Sequence, residues 1–142
     1  MNDKKLNLAK VKDIIENKMP VNKLFGLEVV EIDVGYVKLH VPFKKEFIGD
    51  ALQKLWHGGI LAGIADTAGG IAGATTISFP HDKINTIDIR IDYLKGATNR
   101  DIFAVAKLIK EGKHIIKADI KLFHEEDDLI AIARASYSVL RK

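Results

Sequence analysis

Apolar and polar positions along the chain predict one long central helix and six strands. Residues 57–76 form the longest apolar stretch, which contains no proline and only two titratable side chains, His57 and Asp66. A stretch of this length without proline favours a helix over a strand. Shorter runs, either apolar throughout or alternating between apolar and polar residues, predict strands at 27–33, 36–43, 86–93, 102–110, 115–123 and 129–140.

The segments between these elements predict how the strands are connected. An apolar stripe at helical spacing predicts an N-terminal helix over 5–18, which Pro20 ends, and residues 22–26 form a turn into the first strand. Val34 and Gly35 connect the first two strands as a hairpin. Short turns join the last four strands, so we expect these to form an antiparallel meander. The predicted fold class is α+β, with a curved antiparallel sheet wrapped around the central helix.

One face of the central helix consists of small residues around a single acid. At about 100° per residue, the positions on the same side as Asp66 are Gly59, Ala62, Gly63, Gly69, Gly70 and Gly73. A glycine in a helix interior costs about 1 kcal/mol relative to alanine. We therefore expect another backbone or a ligand to approach this face closely.

Composition narrows the classes of protein to consider. The 142 residues predict a single domain over 1–142, in which 1–19 contribute the N-terminal helix. The absence of cysteine excludes disulfides, thiolate metal sites and a cysteine nucleophile. A net charge of +3 is too small to argue for nucleic acid as a partner.

The N-terminal segment, the central helix and the histidines lead to predictions about localisation and bound metals. The N-terminal segment is charged and lacks the apolar core of a secretory signal, and the central helix would place a carboxylate in lipid. These features predict a cytoplasmic protein without a membrane partner. We expect neither a metal nor a cofactor, because the other histidines are scattered and not at ligand spacing: His40, His81, His114 and His124.

Three blocks of sequence surround and follow the central helix. They are Phe47-Ile48-Gly49-Asp50 through His57-Gly58-Gly59 to Asp66, then Thr86-Ile87-Asp88-Ile89-Arg90-Ile91-Asp92-Tyr93-Leu94, then Ala131 to Tyr137. With these blocks the chain, from about Pro20 onward, resembles the hot-dog-fold acyl-CoA thioesterases of the PaaI-like group, and in particular their YigI-type medium- and long-chain branch. The resemblance implies a hot-dog fold and an acyl-CoA substrate. One position departs from it, since Asp50 stands where the family commonly has an asparagine, and an ionised aspartate can only accept hydrogen bonds.

The resemblance, together with the chemistry of thioester hydrolysis, implies roles for the helix residues. Asp66 supplies the general base or the nucleophile, as the matching acid does in the family. The backbone N–H groups of Gly58 and Gly59, at the helix start, are placed to polarise the thioester carbonyl. Eight residues separate Gly58 from Asp66 by about 12 Å along one helix. We therefore expect a site shared between two antiparallel helices of a homodimer, with pairing of dimers into a homotetramer.

Other candidate residues keep alternatives open. His57 either caps the helix or orients the substrate. Thr86 matches a family Ser/Thr that holds the attacking water, but strict alternation directs it away from the helix unless the strand has a bulge or the partner subunit approaches. Trp56 packs in the core or lines an acyl pocket. Candidate cations for the phosphates of coenzyme A are Arg90, Lys95, Arg100 and Lys113.

Two other functions are compatible with a hot-dog fold. One is a non-catalytic acyl-CoA-binding or sensing module, and the other is a hydratase or dehydratase. The acid at position 66 argues against the binding module, since a binder gains nothing from a carboxylate near a carbonyl oxygen. The spacing of the glycine pair and this acid fits a thioesterase better than a hydratase. The sequence does not determine the acyl chain length, or whether the acyl group is carried by coenzyme A or by a carrier protein.

Overall fold

Six strands form one antiparallel sheet in a computed structural model, which describes residues 8–78, 81–125 and 127–142. The strands are β1 (Glu28–Asp33), β2 (Tyr36–Val41), β3 (Lys83–Tyr93), β4 (Ile102–Glu111), β5 (Ile115–Phe123) and β6 (Leu129–Leu140). The helices are α1 (Leu8–Asp13), α2 (Pro20–Phe25) and α3 (Gly58–Ala74). The predicted central helix and all six predicted strands are confirmed, with small differences at their ends. No helix in the described part of the chain is long and apolar enough to span a membrane.

The order of strands in the sheet is β1-β2-β4-β5-β6-β3. Strands β4, β5 and β6 form the predicted meander, but the prediction is wrong for β3, which pairs with β6 rather than with β4. After β3 ends, the N–H groups of Leu94 and Lys95 both donate to the Ile130 carbonyl, so the chain is still held beside β6. Residues 94–101 then cross to β4, past the start of α3, where Trp56 N–H donates to the Ala97 carbonyl.

Helix α3 packs on the inner face of the sheet and contacts strands β2 to β6. Its buried side chains include Leu61, Ile64 and Ile71. Facing them, the sheet presents many alanines: Ala104, Ala106, Ala118, Ala131, Ala133 and Ala135. Small side chains on the sheet let the helix approach closely, and the helix buries apolar surface worth about 25 cal/mol per Å².

Two glycines of the predicted small-residue face pack against the chain's own sheet. A Cβ on Gly73 would lie 2.6 Å from Cδ1 of Ile84, and a Cβ on Gly69 would overlap the Tyr137 hydroxyl. Both glycines are buried. The expected close approach is therefore real at these positions, but the neighbour is β3 or β6 and not a partner helix or a ligand.

The N-terminal segment differs from its prediction. Residues 5–7 of the predicted helix lie outside the described residues, and the rest divides into α1 and one π-helical turn over Ile14–Lys18. Pro20 begins α2 instead of only ending a helix, because proline is well tolerated in a first helical turn. The predicted turn at 22–26 is the end of α2, closed by Gly26 at φ +67°, whose N–H donates to the Asn22 and Lys23 carbonyls.

Candidate active site

The N-terminus of α3 is capped by the side chain of His57. Its Nδ1 accepts a hydrogen bond of 2.9 Å from the Gly59 N–H, and its own backbone is extended, with φ −65° and ψ 129°. This geometry satisfies one of the free N–H groups of the first helical turn. A Cβ on Gly59 would lie 2.7 Å from Cε1 of His57, so the cap requires a glycine there. The predicted capping role of His57 is confirmed, and a part in orienting substrate stays a prediction.

The backbone N–H of Gly58 is the hydrogen-bond donor that stays available at the start of α3. Within the described part of the chain its N–H has no hydrogen-bond partner, whereas the Gly59 N–H is occupied by the cap. The Gly58 carbonyl accepts a hydrogen bond of 2.5 Å from the Tyr93 hydroxyl, which comes from the end of β3. Burial raises the pKa of Tyr93, so the hydroxyl stays a donor. Of the two predicted carbonyl donors, Gly58 is therefore the one with an available N–H.

Asp66 lies two turns further along α3 and is held by β3. The Thr86 hydroxyl donates to Asp66 Oδ1 at 2.9 Å. A bulge between Thr86 and Asp88 shifts the register of β3 against β6, and Ile87 is left 54% exposed. The bulge interrupts the strict alternation that would have directed Thr86 away from the helix. It brings Thr86 to Asp66 within one chain, so no partner subunit is needed for this contact.

Asp66 lies on an open stripe of small residues. This stripe, which we call the open face of α3, consists of helix positions that are half-buried or exposed: Gly59, Ala62, Gly63, Asp66, Thr67, Gly70 and Ala74. On one side Gly63 is close to α2, since a Cβ there would lie 3.2 Å from Cζ of Phe25. The stripe follows the spacing of one helix face and leaves the Asp66 carboxylate accessible. Among the described residues, no side chain or backbone N–H donates a hydrogen bond to the second carboxylate oxygen, Oδ2.

The loop before α3 is folded back on the helix start. Ile48 forms a β-bridge with Trp56, and the His57 N–H donates to the Phe47 carbonyl at 2.7 Å. A Cβ on Gly49 would lie 2.7 Å from Cα of His57, so only glycine fits between the loop and the cap. Trp56 is buried and stacks on Phe47, which confirms the predicted packing role of Trp56.

Asp50 organises this loop through its side chain. Its Oδ1 accepts a hydrogen bond of 2.9 Å from the Leu52 N–H, and its carbonyl accepts one from the Lys54 N–H. This is the arrangement in which an aspartate or asparagine side chain closes a turn. An asparagine can accept the same bond with its carbonyl oxygen and would add an N–H₂ donor.

Replacing Asp50 with asparagine is expected to keep the loop and to leave the rate of the hydrolysis that the resemblance implies unchanged or raise it. One additional hydrogen bond worth about 1 kcal/mol in the transition state corresponds to about a fivefold higher rate. The measurement is kcat for the native protein, for Asp50→Asn and for Asp50→Ala, which removes the acceptor for the Leu52 N–H. A large loss of kcat in Asp50→Asn would mean that the negative charge itself acts at this position.

The four candidate cations are separated by the fold. Lys95 and Arg100 meet at Asp128, where Arg100 Nη2 lies 2.8 Å from Oδ2 and Lys95 forms an ion pair with Oδ1. A hydrogen bond from Lys95, and then one from Arg100, lowers the pKa of Asp128. This pair lies at the same end of the sheet as Gly58. Arg90 is on the outer face of β3 beside Asp92, and Lys113 is in the turn between β4 and β5, near the other end of α3.

Two tyrosines at this site were missed in the sequence. Tyr93 donates to Gly58, and Tyr137 donates to the backbone carbonyl of Asp66 at 2.8 Å. The available signal was chemical, since tyrosine in an apolar strand needs a hydrogen-bond partner for its hydroxyl. In the described residues, no group of three or more histidine, aspartate or glutamate side chains is arranged to bind a metal ion.

A family model describes the segment that contains this site. The model of the Thioesterase superfamily matches residues 53–131, from the loop before α3 into β6 and more than half of the chain. The chain belongs to the Thioesterase superfamily. The prediction of a thioesterase is thereby confirmed at the level of the superfamily.

Individual relatives and solved structures agree with this membership. The medium/long-chain acyl-CoA thioesterase YigI of Escherichia coli K12 is 28% identical over 133 residues, which cover 85% of this chain and 86% of YigI. A thioesterase from Haemophilus influenzae superimposes with a TM-score of 0.82 at 21% identity, covering 96% of this chain and 92% of that one. The E. coli PaaI protein superimposes with a TM-score of 0.81 at 20% identity, covering 94% and 92%. The predicted hot-dog fold and PaaI-like resemblance are confirmed.

Proposed function

We propose that this thioesterase hydrolyses acyl-CoA to the free acid and coenzyme A, with Asp66 as the general base or the nucleophile. The observation that carries the proposal is the Asp66 carboxylate, which lies on the open face of α3 and is oriented by the Thr86 hydroxyl at 2.9 Å. The similarity to YigI, a medium/long-chain acyl-CoA thioesterase, supports the substrate class. A carboxylate held by one oxygen can act through the other on water or on the acyl carbon.

The Gly58 N–H is proposed to polarise the thioester carbonyl. It has no hydrogen-bond partner in the described part of the chain and lies at a helix N-terminus, where the helix dipole favours the negative charge that develops on the oxygen. The oxygen of water then bonds to the acyl carbon, the carbon–sulfur bond breaks, and the thiolate of coenzyme A takes a proton. If Asp66 is the base, it accepts the proton of the water. If it is the nucleophile, an acyl-enzyme anhydride forms first and is hydrolysed by water.

A homodimer is proposed because one chain holds these two groups too far apart. Gly58 and Asp66 are about 12 Å apart along the axis of α3. Strand β3 is an edge strand of eleven residues, and its outer side has no pairing partner in the described part of the chain. An unpaired edge of this length can pair with a second copy. A two-fold axis beside β3 would set two α3 helices antiparallel and bring the Gly58 of one chain towards the Asp66 of the other.

Lys95 and Arg100 are the cations best located for the phosphates of coenzyme A in this arrangement. Both lie at the same end of the sheet as Gly58, and both have side chains that are about half exposed. Arg90 and Lys113 stay predicted phosphate contacts, but with weaker support. Arg90 is on the outer face of β3, and Lys113 is near the end of α3 that is remote from Gly58. Phosphate binding by Lys95 or Arg100 would have to compete with their ion pairs to Asp128.

The function is tested by offering the protein short, medium, long and aryl acyl-CoAs and measuring the released thiol. The chain has no cysteine, so a thiol reagent reports only coenzyme A. We expect multiple turnovers with at least one chain-length class. Tight binding of acyl-CoA, measured by calorimetry, without release of thiol from any substrate would support the binding module instead.

A further inference from the structure

Two hydroxyls, one from each of the strands β3 and β6, contact Asp66 from the sheet. Thr86 and Tyr137 are paired directly across these strands. The Thr86 hydroxyl donates to the Asp66 side chain at 2.9 Å, and the Tyr137 hydroxyl donates to the Asp66 backbone carbonyl at 2.8 Å. We propose that Tyr137 is a positioning residue that sets the direction of the Asp66 carboxylate, and that Gly69 provides the space it needs. This inference rests on the proposed role of Asp66 in hydrolysis.

The Tyr137 hydroxyl enters the hydrogen-bond ladder of α3 at the step that begins with Asp66. In a regular α-helix the carbonyl of residue 66 accepts from the N–H of residue 70. Here the Asp66 carbonyl accepts a hydrogen bond of 2.8 Å from the Tyr137 hydroxyl, and the nearby Gly70 N–H partly offsets the rise in the pKa of that hydroxyl. A side chain in the ladder is one of the few causes of local helix bending. The orientation of the Asp66 peptide therefore depends on where the sheet holds Tyr137.

Gly69, which has no side chain, leaves the space that the Tyr137 hydroxyl occupies. A Cβ on Gly69 would overlap the Tyr137 oxygen and lie 3.1 Å from its Cζ. A Cβ on the neighbouring Gly70 would lie 3.6 Å from Cε1 of Tyr137, which is an ordinary contact. Of these two glycines, only Gly69 is required by Tyr137. The cost of this helix glycine is thus explained by the contact between Tyr137 and Asp66.

In the buried side chain of Tyr137, the ring and the hydroxyl have different roles. The residue is 2% exposed, and its ring packs in the core as a phenylalanine would. A buried hydroxyl must find a partner, and this one has the carbonyl of the proposed catalytic acid. Burial, and after it the charge of Asp66, raises the pKa of Tyr137 far above its usual value. The hydroxyl is therefore a donor at every pH at which a thioester assay is run.

The test compares Tyr137→Phe with Thr75→Val. We expect Tyr137→Phe to lower kcat about 10- to 100-fold, because a small misplacement of a reacting group costs this much, and to change KM by less than about twofold. Thr75 is a buried hydroxyl at the end of the same helix, bonded to the Ala72 carbonyl and to the Gly35 N–H, far from Asp66. Thr75→Val should lower Tm and leave kcat unchanged. An unchanged kcat in Tyr137→Phe would overturn the proposal.

A double-mutant cycle with Gly69→Ala tests the space that Tyr137 needs. With Tyr137 present, Gly69→Ala should displace the hydroxyl and lower kcat about as far as Tyr137→Phe does. In the Tyr137→Phe background the oxygen is gone, and Gly69→Ala should add less than about a twofold further loss. The remaining neighbours, Cζ of residue 137 and Cδ1 of Ile120 at 3.2 Å, need to move by only a few tenths of an ångström. Strictly multiplicative losses would contradict the link between Gly69 and Tyr137.

A readout without substrate separates this proposal from the proposed function. The ¹³C resonance of the Asp66 carboxyl, assigned with Asp66→Asn, is followed in the native protein, in Tyr137→Phe and in Thr75→Val. We expect the resonance to move in Tyr137→Phe and not in Thr75→Val. An unmoved resonance in Tyr137→Phe rejects positioning whatever the activity. Failure of the native protein to release thiol from any acyl-CoA rejects the function, even if the resonance moves.

Discussion

Replacing Asp66 with alanine is expected to lower kcat for acyl-CoA hydrolysis about 100- to 10,000-fold, the contribution usual for a general base. The fold should be retained, because alanine is the best helix former and, among the described residues, only Thr86 donates a hydrogen bond to the Asp66 side chain. The measurements are kcat from thiol release, and Tm and circular dichroism for the fold. An Asp66→Ala protein with native kcat would refute the role assigned to this acid.

Asp66→Asn is the matched variant for this prediction. The asparagine oxygen can still accept the hydrogen bond from Thr86, so the contact to β3 is kept. The amide can neither take a proton from water nor attack the acyl carbon, and the same large loss of kcat is expected. If Asp66→Asn were active while Asp66→Ala was not, the side chain would act through hydrogen bonding alone.

Two inactive chains are expected to regain activity when they are refolded together. One chain carries Asp66→Ala, and the other carries Gly58→Val. A Cβ at position 58 would lie 3.4 Å from the Tyr93 ring, and the valine side chain would obstruct the approach to the N–H of that residue. If the site combines Gly58 of one chain with Asp66 of its partner, each mixed dimer holds one intact site of two. Random pairing makes half of the dimers mixed, so roughly a quarter of the native rate per chain should return.

The control for this experiment is a chain with both substitutions. Refolded with Asp66→Ala, it can form no site that contains Asp66, and no activity should return. If Gly58 and Asp66 of a single chain formed one site, no mixture of the two single variants would recover activity either. Absence of recovery, or a native rate per chain in a protein that light scattering finds to be monomeric, would contradict the shared site.

Local sequence determined the elements that surround the site. The predicted central helix over 57–76 is observed over Gly58–Ala74, and the last two strands have the predicted limits. His57 caps α3 as one of its two predicted roles. These features depend on side-chain periodicity, proline positions and helix-end chemistry, all of which act over a few residues. The resemblance carried by the blocks around Asp66 identified the superfamily for the same reason, because its motifs are short and contiguous.

Long-range contacts decided how these elements become a site. Periodicity shows which face of a strand is buried but not which strand lies beside it, so the pairing of β3 with β6 was missed. That pairing carries the bulge that turns Thr86 towards Asp66, and it sets Tyr137 opposite Thr86. A bulge adds one residue and reverses the face of those that follow, which an alternating pattern does not reveal.

The division is clearest for the glycines of α3. Their number and spacing in the sequence showed that something must come close to the helix, because glycine is costly there. Only the packed structure separates Gly69 and Gly73, which face the chain's own sheet, from Gly63 and Gly70 on the open face with Asp66. The sequence alone thus determined that α3 would carry an acid among small residues. Tertiary packing decided which of those residues the sheet covers and which remain open around the acid, because contact depends on neighbours that are distant in the chain.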